Sequence, residues 1–308
     1  MVNQIQALIS SARPTHWVKN LALFAALIFS GNLFVEKQFM SVLWAVVIFS
    51  IAASAIYLFN DVVDREHDLK HPIKKRRPVA QGTLPVPHAL FFATTFAVVS
   101  LFLASFISTF FLMALTIYLL LQIAYALFLK AIPIIDILTI AAGFIIRVWA
   151  GAFVINVHLS VWFLLCVVSV SLFLASGKRR AELAILARYG KVRAFSYEPI
   201  LLDSYLTMFG TATWLSWSLF TFFEPSPRIG ILPFSSELPL TLAGIGKWLM
   251  VTIPIAIFGI MRYLYITYTS EKGTSLVETP ERLLVRDKTL LTAFLLWGLF
   301  VVFVLYSI

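Results

Sequence analysis

A single cysteine, Cys166, is all that the 308-residue chain offers, which excludes a disulfide framework and a thiolate metal site. It sits within an apolar run, where a small buried hydrophobe is the ordinary reading. Charge is scarce as well. Only 13% of the residues are Asp, Glu, Lys or Arg, against 60% hydrophobic, and a mean hydropathy of +0.92 excludes a soluble globular domain. Long polar stretches are missing too: the gaps between apolar runs reach only about 20–30 residues, too little for a separate soluble domain or a long linker. Nothing near the N-terminus reads as a cleavable signal, because Arg13 and Lys19 flank the first apolar run and no small-residue cleavage site closes it. That run is expected to stay in the membrane.

What is present is a series of apolar stretches long enough to cross a hydrocarbon core of about 30 Å. They lie at 18–40, 40–60, 88–107, 109–130, 135–155, 160–176, 205–223, 246–264 and 290–307. The fold expected is an all-α integral membrane protein of nine transmembrane helices, one polytopic domain over 1–308, with cytoplasmic loops at about 61–87, 177–204 and 265–289. A net charge of +9 raises the question of nucleic acid, but the charges are sorted by side rather than gathered in one basic patch. Numbering the loops from the N-terminus puts 20 of the 24 Lys and Arg on one side; Lys37, Arg228 and Lys247 fall on the other, and Arg147 lies within the fifth span. The positive-inside rule then places the N-terminus and every large charged loop in the cytoplasm. The partner is the membrane, and no nucleic acid is implied.

That rule accounts for bases and not for acids, yet 11 of the 15 Asp and Glu share the same loops. The first loop reads NDVVDREHDLKHPIKKRRP from Asn60 to Pro78. Asn60, Asp61, Asp64 and Asp68 share one face if the second span runs on helically past the membrane surface. Like charges stacked that way repel unless a cation sits among them. Carboxylates with an Asn carbonyl suit Mg²⁺, which takes one or two carboxylates and completes its shell with substrate phosphates. After a turn at His71-Pro72 the chain supplies Lys74, Lys75, Arg76 and Arg77, so acid precedes base, as a metal-bound polyphosphate requires. A solvated loop capping two spans is the alternative. His67 and His71, four apart, admit zinc, but the proline and the lack of a third ligand favour surface histidines.

The second loop, from Ser176 to Leu206, carries Lys178, Arg179, Glu182, Arg188, Tyr197, Asp203 and Tyr205; Lys178 and Glu182 are spaced for a helix-surface salt bridge. The third, Ser270 to Lys288, opens a helix at Thr-Pro-Glu-Arg and reads as a short amphipathic surface helix. Arg147, about 16 Å deeper than Asp136 along a helix, is a functional hint, since an unpaired charge in lipid costs several kcal/mol.

Five ordered motifs now stand in the chain. They are R-P-x-x-W-V-K-N (Arg13 to Asn20), N-D-x-x-D-x-x-x-D-x-x-H-P-x-K-x-x-R-P-x-x-x-G (Asn60 to Gly82), P-x-x-D-x-x-x-x-A-x-G-F-x-x-R (Pro133 to Arg147), G-K-R-x-A-E-L (Gly177 to Leu183) and R-Y…P-E (Arg262 to Glu281). On these the chain resembles the UbiA-type intramembrane prenyltransferase superfamily, and within it the decaprenyl-phosphate phosphoribosyltransferase branch. The resemblance implies nine helices around a central cavity and a homo-oligomer, a trimer. It implies Mg²⁺ held by Asn60, Asp61, Asp64 and Asp68, and substrate contacts from Lys19, Lys74, Arg77, Arg147, Lys178, Arg179, Glu182, Arg188 and Tyr197. The implied substrates are phosphoribosyl pyrophosphate and a polyprenyl phosphate lipid, joined at the cytoplasmic face of the cell inner membrane. Ordinary members carry a second aspartate-rich motif after the sixth span; here Lys178-Arg179-Arg180 stands there with Glu182 as the acid. That departure suits a donor with a separate 5-phosphate more than a prenyl diphosphate donor used on an aromatic acceptor, which is the alternative enzyme. A transporter is a third reading, disfavoured because the ionisable groups gather in loops and not at mid-membrane.

Overall fold

A chain this apolar can satisfy its backbone in lipid only through helices or a closed barrel, and the sequence has none of the alternation a barrel needs. The computed structural model describes residues 2–71, 73–188, 197–223, 248–269 and 286–307, and every regular element among them is helical. In chain order these are α1 (Val2–Ala12), a 3₁₀ segment (Pro14–Leu23), α2 (Phe24–Phe29), α3 (Glu36–Val63), α4 (Arg65–Lys70), a 3₁₀ turn (Lys74–Arg76) and α5 (Pro78–Gln81). There follow α6 (Val86–Ser105), α7 (Thr109–Leu127), a 3₁₀ turn (Leu129–Ala131), α8 (Ile135–Ile155), α9 (Val161–Arg188), α10 (Pro199–Phe223), a 3₁₀ turn (Trp248–Thr252), α11 (Ile253–Thr269) and α12 (Lys288–Ser307).

The all-α membrane class agrees with the sequence reading, and the chain crosses the membrane several times. Seven helical stretches among the described residues are long and apolar enough to cross, those of α3, α6, α7, α8, α9, α12 and the run Trp248–Tyr268. Two of the nine expected spans differ. α10 has the length, 25 residues, but Asp203 and its Ser and Thr residues dilute its apolar character. The first, expected over 18–40 as one span, is a 3₁₀ segment joined to the six-residue α2, and the chain breaks before α3 starts at Glu36. The reason is a helix stop. Gly31 takes the left-handed φ of 76°, its N–H donates to the Ile28 carbonyl at 3.3 Å, and the Asn32 N–H donates to the Leu27 carbonyl at 3.2 Å. Those paired bonds are the Schellman arrangement that ends helices at glycine. α9 departs the other way: it runs to Arg188, so Lys178 to Arg188, expected in a loop, ride on a helical extension. The amphipathic helix expected after Ser270 lies outside the described residues.

The described residues fall into two compact units, one drawn from within 1–27 and 32–158, the other from within 28–31 and 159–308. In the first, α3 packs against α6 and α7, and α7 against α8, around Leu23, Leu27, Phe49, Phe111, Leu115 and Tyr118. The 3₁₀ segment is stitched to α3 by polar contacts: Trp17 Nε1 donates to Ser54 Oγ at 3.0 Å, and Asn20 Nδ2 to Ser50 Oγ at 2.9 Å. Against α8 it lies so close that a Cβ on Gly151 would stand 2.1 Å from the Leu23 carbonyl oxygen. In the second unit α9 packs on α10 and α11 on α12, with Phe173, Leu206, Tyr263 and Leu290 in a shared cluster.

Candidate active site

The acid-rich stretch keeps a helical course where it leaves α3. Asp64 N–H donates to the Asn60 carbonyl at 2.9 Å and Asp68 N–H to the Asp64 carbonyl at 2.8 Å, so the one-residue step between α3 and α4 leaves the spacing of the four residues intact. The chain then turns. His71, before a proline and therefore held extended, has φ −83° and ψ 135°. Its Nδ1 accepts the N–H groups of Ile73 and Lys74, each at 3.2 Å, which uses the ring as a turn cap and not as a metal ligand. Pro78 starts α5 at its first position.

Three cations answer the three aspartates. Arg77 Nη1 donates to Asp68 Oδ2 at 2.6 Å and lies 3.2 Å from Asp61 Oδ1; Arg13 also donates to Asp61, and Lys130 to Asp64. Arg13 reaches Asp61 from a left-handed backbone, φ 51°, a conformation that costs about 1–3 kcal/mol in a non-glycine residue and collects at functional sites. Ile134, a few residues after Lys130, shows the same sign at φ 71°. Asp61 and Asp68 are buried, and Asp61 Oδ2 has no hydrogen-bond partner. Burial pushes the Asp68 carboxyl above its ordinary range, against the opposing pull of the Arg77 guanidinium.

A cavity of about 330 Å³ opens beside these groups, lined by Val63, Asp64, His67, Asp68, His71, Lys74, Ala126, Leu127 and Lys130. Of the residues expected at a metal site, it brings together Asp64 and Asp68. Asp61 stands behind them, and Asn60 is not on the lining. Among the described residues no group of three His, Cys, Asp or Glu is set to hold a metal on its own. Two carboxylates on one cavity, and a third with an orphaned buried oxygen, nevertheless fit an Mg²⁺-type cation, because that ion completes its shell with water and substrate phosphates. Of the expected substrate contacts, Lys74 lines the cavity and Arg77 braces its acids.

Arg147 is elsewhere. It is buried within the first unit, where Nε donates to Asn20 Oδ1 at 2.9 Å, Nη2 to the Tyr118 hydroxyl at 2.9 Å and Nη1 to the Gly143 carbonyl at 2.5 Å. Its guanidinium carbon lies 5.3 Å from the Phe49 ring centre and 4.8 Å from that of Tyr118. The charge that could have stood alone in lipid has a hydrogen-bond partner at each of its three nitrogens. Lys19, half-buried, is on the same 3₁₀ segment as Asn20. In the second unit Glu182 accepts from Arg179. Arg180 Nε donates to Asp203 Oδ1 at 2.6 Å, which the Tyr268 hydroxyl also reaches at 2.9 Å. Tyr197 is buried, and the side chain of Arg188 lies outside the described residues. Sequence reasoning missed Arg13 and Lys130 as site residues. Arg13 opens one of the quoted motifs and precedes a proline, a signal that was available; Lys130 carried none beyond its place at a membrane boundary.

Residues 21–276 match the model of the UbiA prenyltransferase family. The chain is 34% identical to the decaprenyl-phosphate phosphoribosyltransferase of Corynebacterium glutamicum, over 99% of this chain and 88% of the relative. It is 32% identical to the enzyme of the same name from Mycolicibacterium smegmatis, over 96% and 91%. The solved structure of a UbiA homolog from Archaeoglobus fulgidus bound to GPP and Mg²⁺ superposes with a TM-score of 0.69 at 17% identity, covering 98% of this chain and all of that one, a likeness that speaks for the fold. With the family model spanning most of the chain and these relatives nearly all of it, the protein belongs to the UbiA prenyltransferase family.

Proposed function

We propose that this protein transfers the 5-phosphoribosyl group of phosphoribosyl pyrophosphate to a polyprenyl phosphate and releases pyrophosphate, with Mg²⁺ as cofactor, at the cytoplasmic face of the cell membrane. The bond from ribose C1 to the diphosphate breaks, and one from C1 to an oxygen of the lipid phosphate forms. Asp64 and Asp68, backed by Asp61 and Asn60, would hold the cation, whose charge would offset that of the departing diphosphate. Lys74 contributes a positive charge to the same cavity. Arg77, bridging Asp61 and Asp68, keeps the two buried carboxyl groups in register. A general base is not required, because a phosphate monoester with a second pKa of about 6 is already largely dianionic at pH 7. The chain's own task is then positioning and charge complementarity.

The observation that carries the reading is the charge balance where α9 and the start of α10 meet in the second unit. Lys178, Arg179 and Arg180 stand there with Glu182 and Asp203, and each of those two acids is held by an arginine, so cations outnumber acids in this region. That suits a donor bearing a phosphate apart from its diphosphate. The names of the relatives found above support the same choice. The test is incubation of the purified protein with Mg²⁺, radiolabelled phosphoribosyl pyrophosphate and a polyprenyl phosphate, followed by lipid extraction. Label in the lipid phase that depends on both substrates is expected. Label transfer only from a prenyl diphosphate onto an aromatic acceptor would replace this reading with the prenyltransferase one.

A further inference from the structure

The three cations that neutralise the acid cluster are not equivalent. Arg77 is shared between Asp61 and Asp68, and Arg13 supports Asp61 from its strained backbone; both act on the buried wall behind the cavity. Lys130 is different in three respects. Its partner Asp64 is the least buried of the three aspartates, with side-chain exposures of 28% for Lys130 and 21% for Asp64. Lys130 and Asp64 both line the cavity itself, whereas Arg13 and Arg77 do not. It comes from a 3₁₀ turn 66 positions along the chain, between α7 and α8. A pair open to solvent on one side contributes less stability than a fully buried one and separates more easily. An ammonium on a four-carbon stem can change partners without any backbone movement, which a bridging guanidinium cannot do.

We propose that Lys130 is a built-in counter-ion that exchanges partners: it occupies Asp64 while the site is empty and passes to an anionic oxygen of the donor's diphosphate once Asp64 is given over to the divalent cation. This rests on the reading of the cavity given under Proposed function. The exchange makes metal and donor depend on one another. Without donor, releasing Asp64 leaves the Lys130 ammonium beside a second positive charge in a confined cavity; with donor, the displaced ammonium has a new partner. The coupling is reciprocal, so the donor enters poorly without metal by the same factor. A protein arranged this way avoids holding a bare cation in the absence of substrate.

The two halves of this exchange move in opposite directions when Lys130 loses its charge, and that sets the test. Binding of Mn²⁺ alone to the full chain in nanodiscs is measured by the electron paramagnetic resonance signal of free Mn²⁺. Binding of phosphoribosyl pyrophosphate is measured separately at saturating Mg²⁺. Lys130→Met is expected to bind Mn²⁺ alone about three- to tenfold more tightly, the scale of removing one partly exposed ion pair and one like-charge contact, and to bind the donor at least as much more weakly. Lys130→Arg keeps the charge, so its Mn²⁺ binding should not tighten as that of Lys130→Met does. A lysine with a merely structural role would weaken both measurements; one that only contacts substrate would leave Mn²⁺ unchanged. Either result overturns the exchange. Asp64→Asn separates this from the underlying reading: if it binds Mn²⁺ as the native chain does, the cavity is not the metal site and the reading itself fails. Should Lys130→Met not fold, Lys130→Gln keeps the polar length and is held to the same opposed shifts.

Discussion

Asp64 and Asp68 stand on one cavity because a helical course persists through the step at Asp64, and replacing either by Asn removes a charge while keeping the shape. Turnover is expected to fall by two orders of magnitude or more in a radiolabel transfer assay, with the thermal unfolding midpoint in detergent unchanged within a few degrees. Asp61→Asn should behave in the reverse proportion. Its buried carboxylate is what Arg13 and Arg77 converge upon, so its loss takes the charged partner from the Arg13 guanidinium and lowers the midpoint, by about 1–3 kcal/mol of stability. Arg147→Met should do the same without touching the cavity: it strands Asn20 Oδ1 and the Tyr118 hydroxyl inside the first unit, and donor and metal affinity should survive in whatever fraction stays folded. The aspartates were legible because helical spacing and charge are both written in the sequence. The role of Arg147 was not, since residue type and depth announce a buried cation but say nothing of which neutral groups and ring faces surround it. Lys130 was invisible for a related reason: its partner is 66 residues away, and only the fold brings them together.

At the scale of the element, the helices were legible wherever an apolar run was uninterrupted and misjudged where a local signal outweighed composition. Gly31 and Asn32 carry such a signal, and they split the first expected span. Gly151 shows the same thing in packing. Its missing side chain is what lets the 3₁₀ segment lie against α8, and Gly151→Ala would place a methyl 2.1 Å from a backbone oxygen that cannot swing aside. The expected penalty is about 1–3 kcal/mol, read as a lowered unfolding midpoint. It should also loosen the segment that carries Arg13, with a rise in donor KM larger than any loss in kcat. α12 offers a pH measurement. Asp287 precedes its first residue, accepts the Leu290 N–H at 2.7 Å and takes Arg262 Nη2 at 2.7 Å. The Arg262 hydrogen bond is the main cause holding its carboxyl below the usual range. A group lowered on folding contributes stability that is complete above its unfolded value, about 4, and is lost as the pH falls through the lower folded value. The unfolding midpoint of the native protein should therefore drop more steeply below pH 4 than that of Asp287→Asn, and the two should run parallel above pH 5.

For the molecule as a whole, the sorting of charges carries a prediction about orientation. Single cysteines introduced at Lys75 and at His158, in a background where the native Cys166 is buried, should label from opposite faces of sealed vesicles, with position 75 reactive from the cytoplasmic side. Labelling of both from one face would refute the assignment drawn from the positive charges. The second unit has a further property that composition could not reveal. Its short N-terminal contribution, residues 28–31, includes Phe29, whose ring lies 4.7 Å from that of Phe163 and 5.6 Å from that of Phe220. The Tyr306 hydroxyl donates to the Ile28 carbonyl at 2.7 Å across 278 residues of sequence. A ribosome adding about 5–20 residues per second thus delivers that carbonyl roughly a quarter of a minute to a minute before the hydroxyl that satisfies it. During that interval the nascent chain carries a Phe29 ring and an Ile28 carbonyl whose partners in the finished fold have not yet been synthesised.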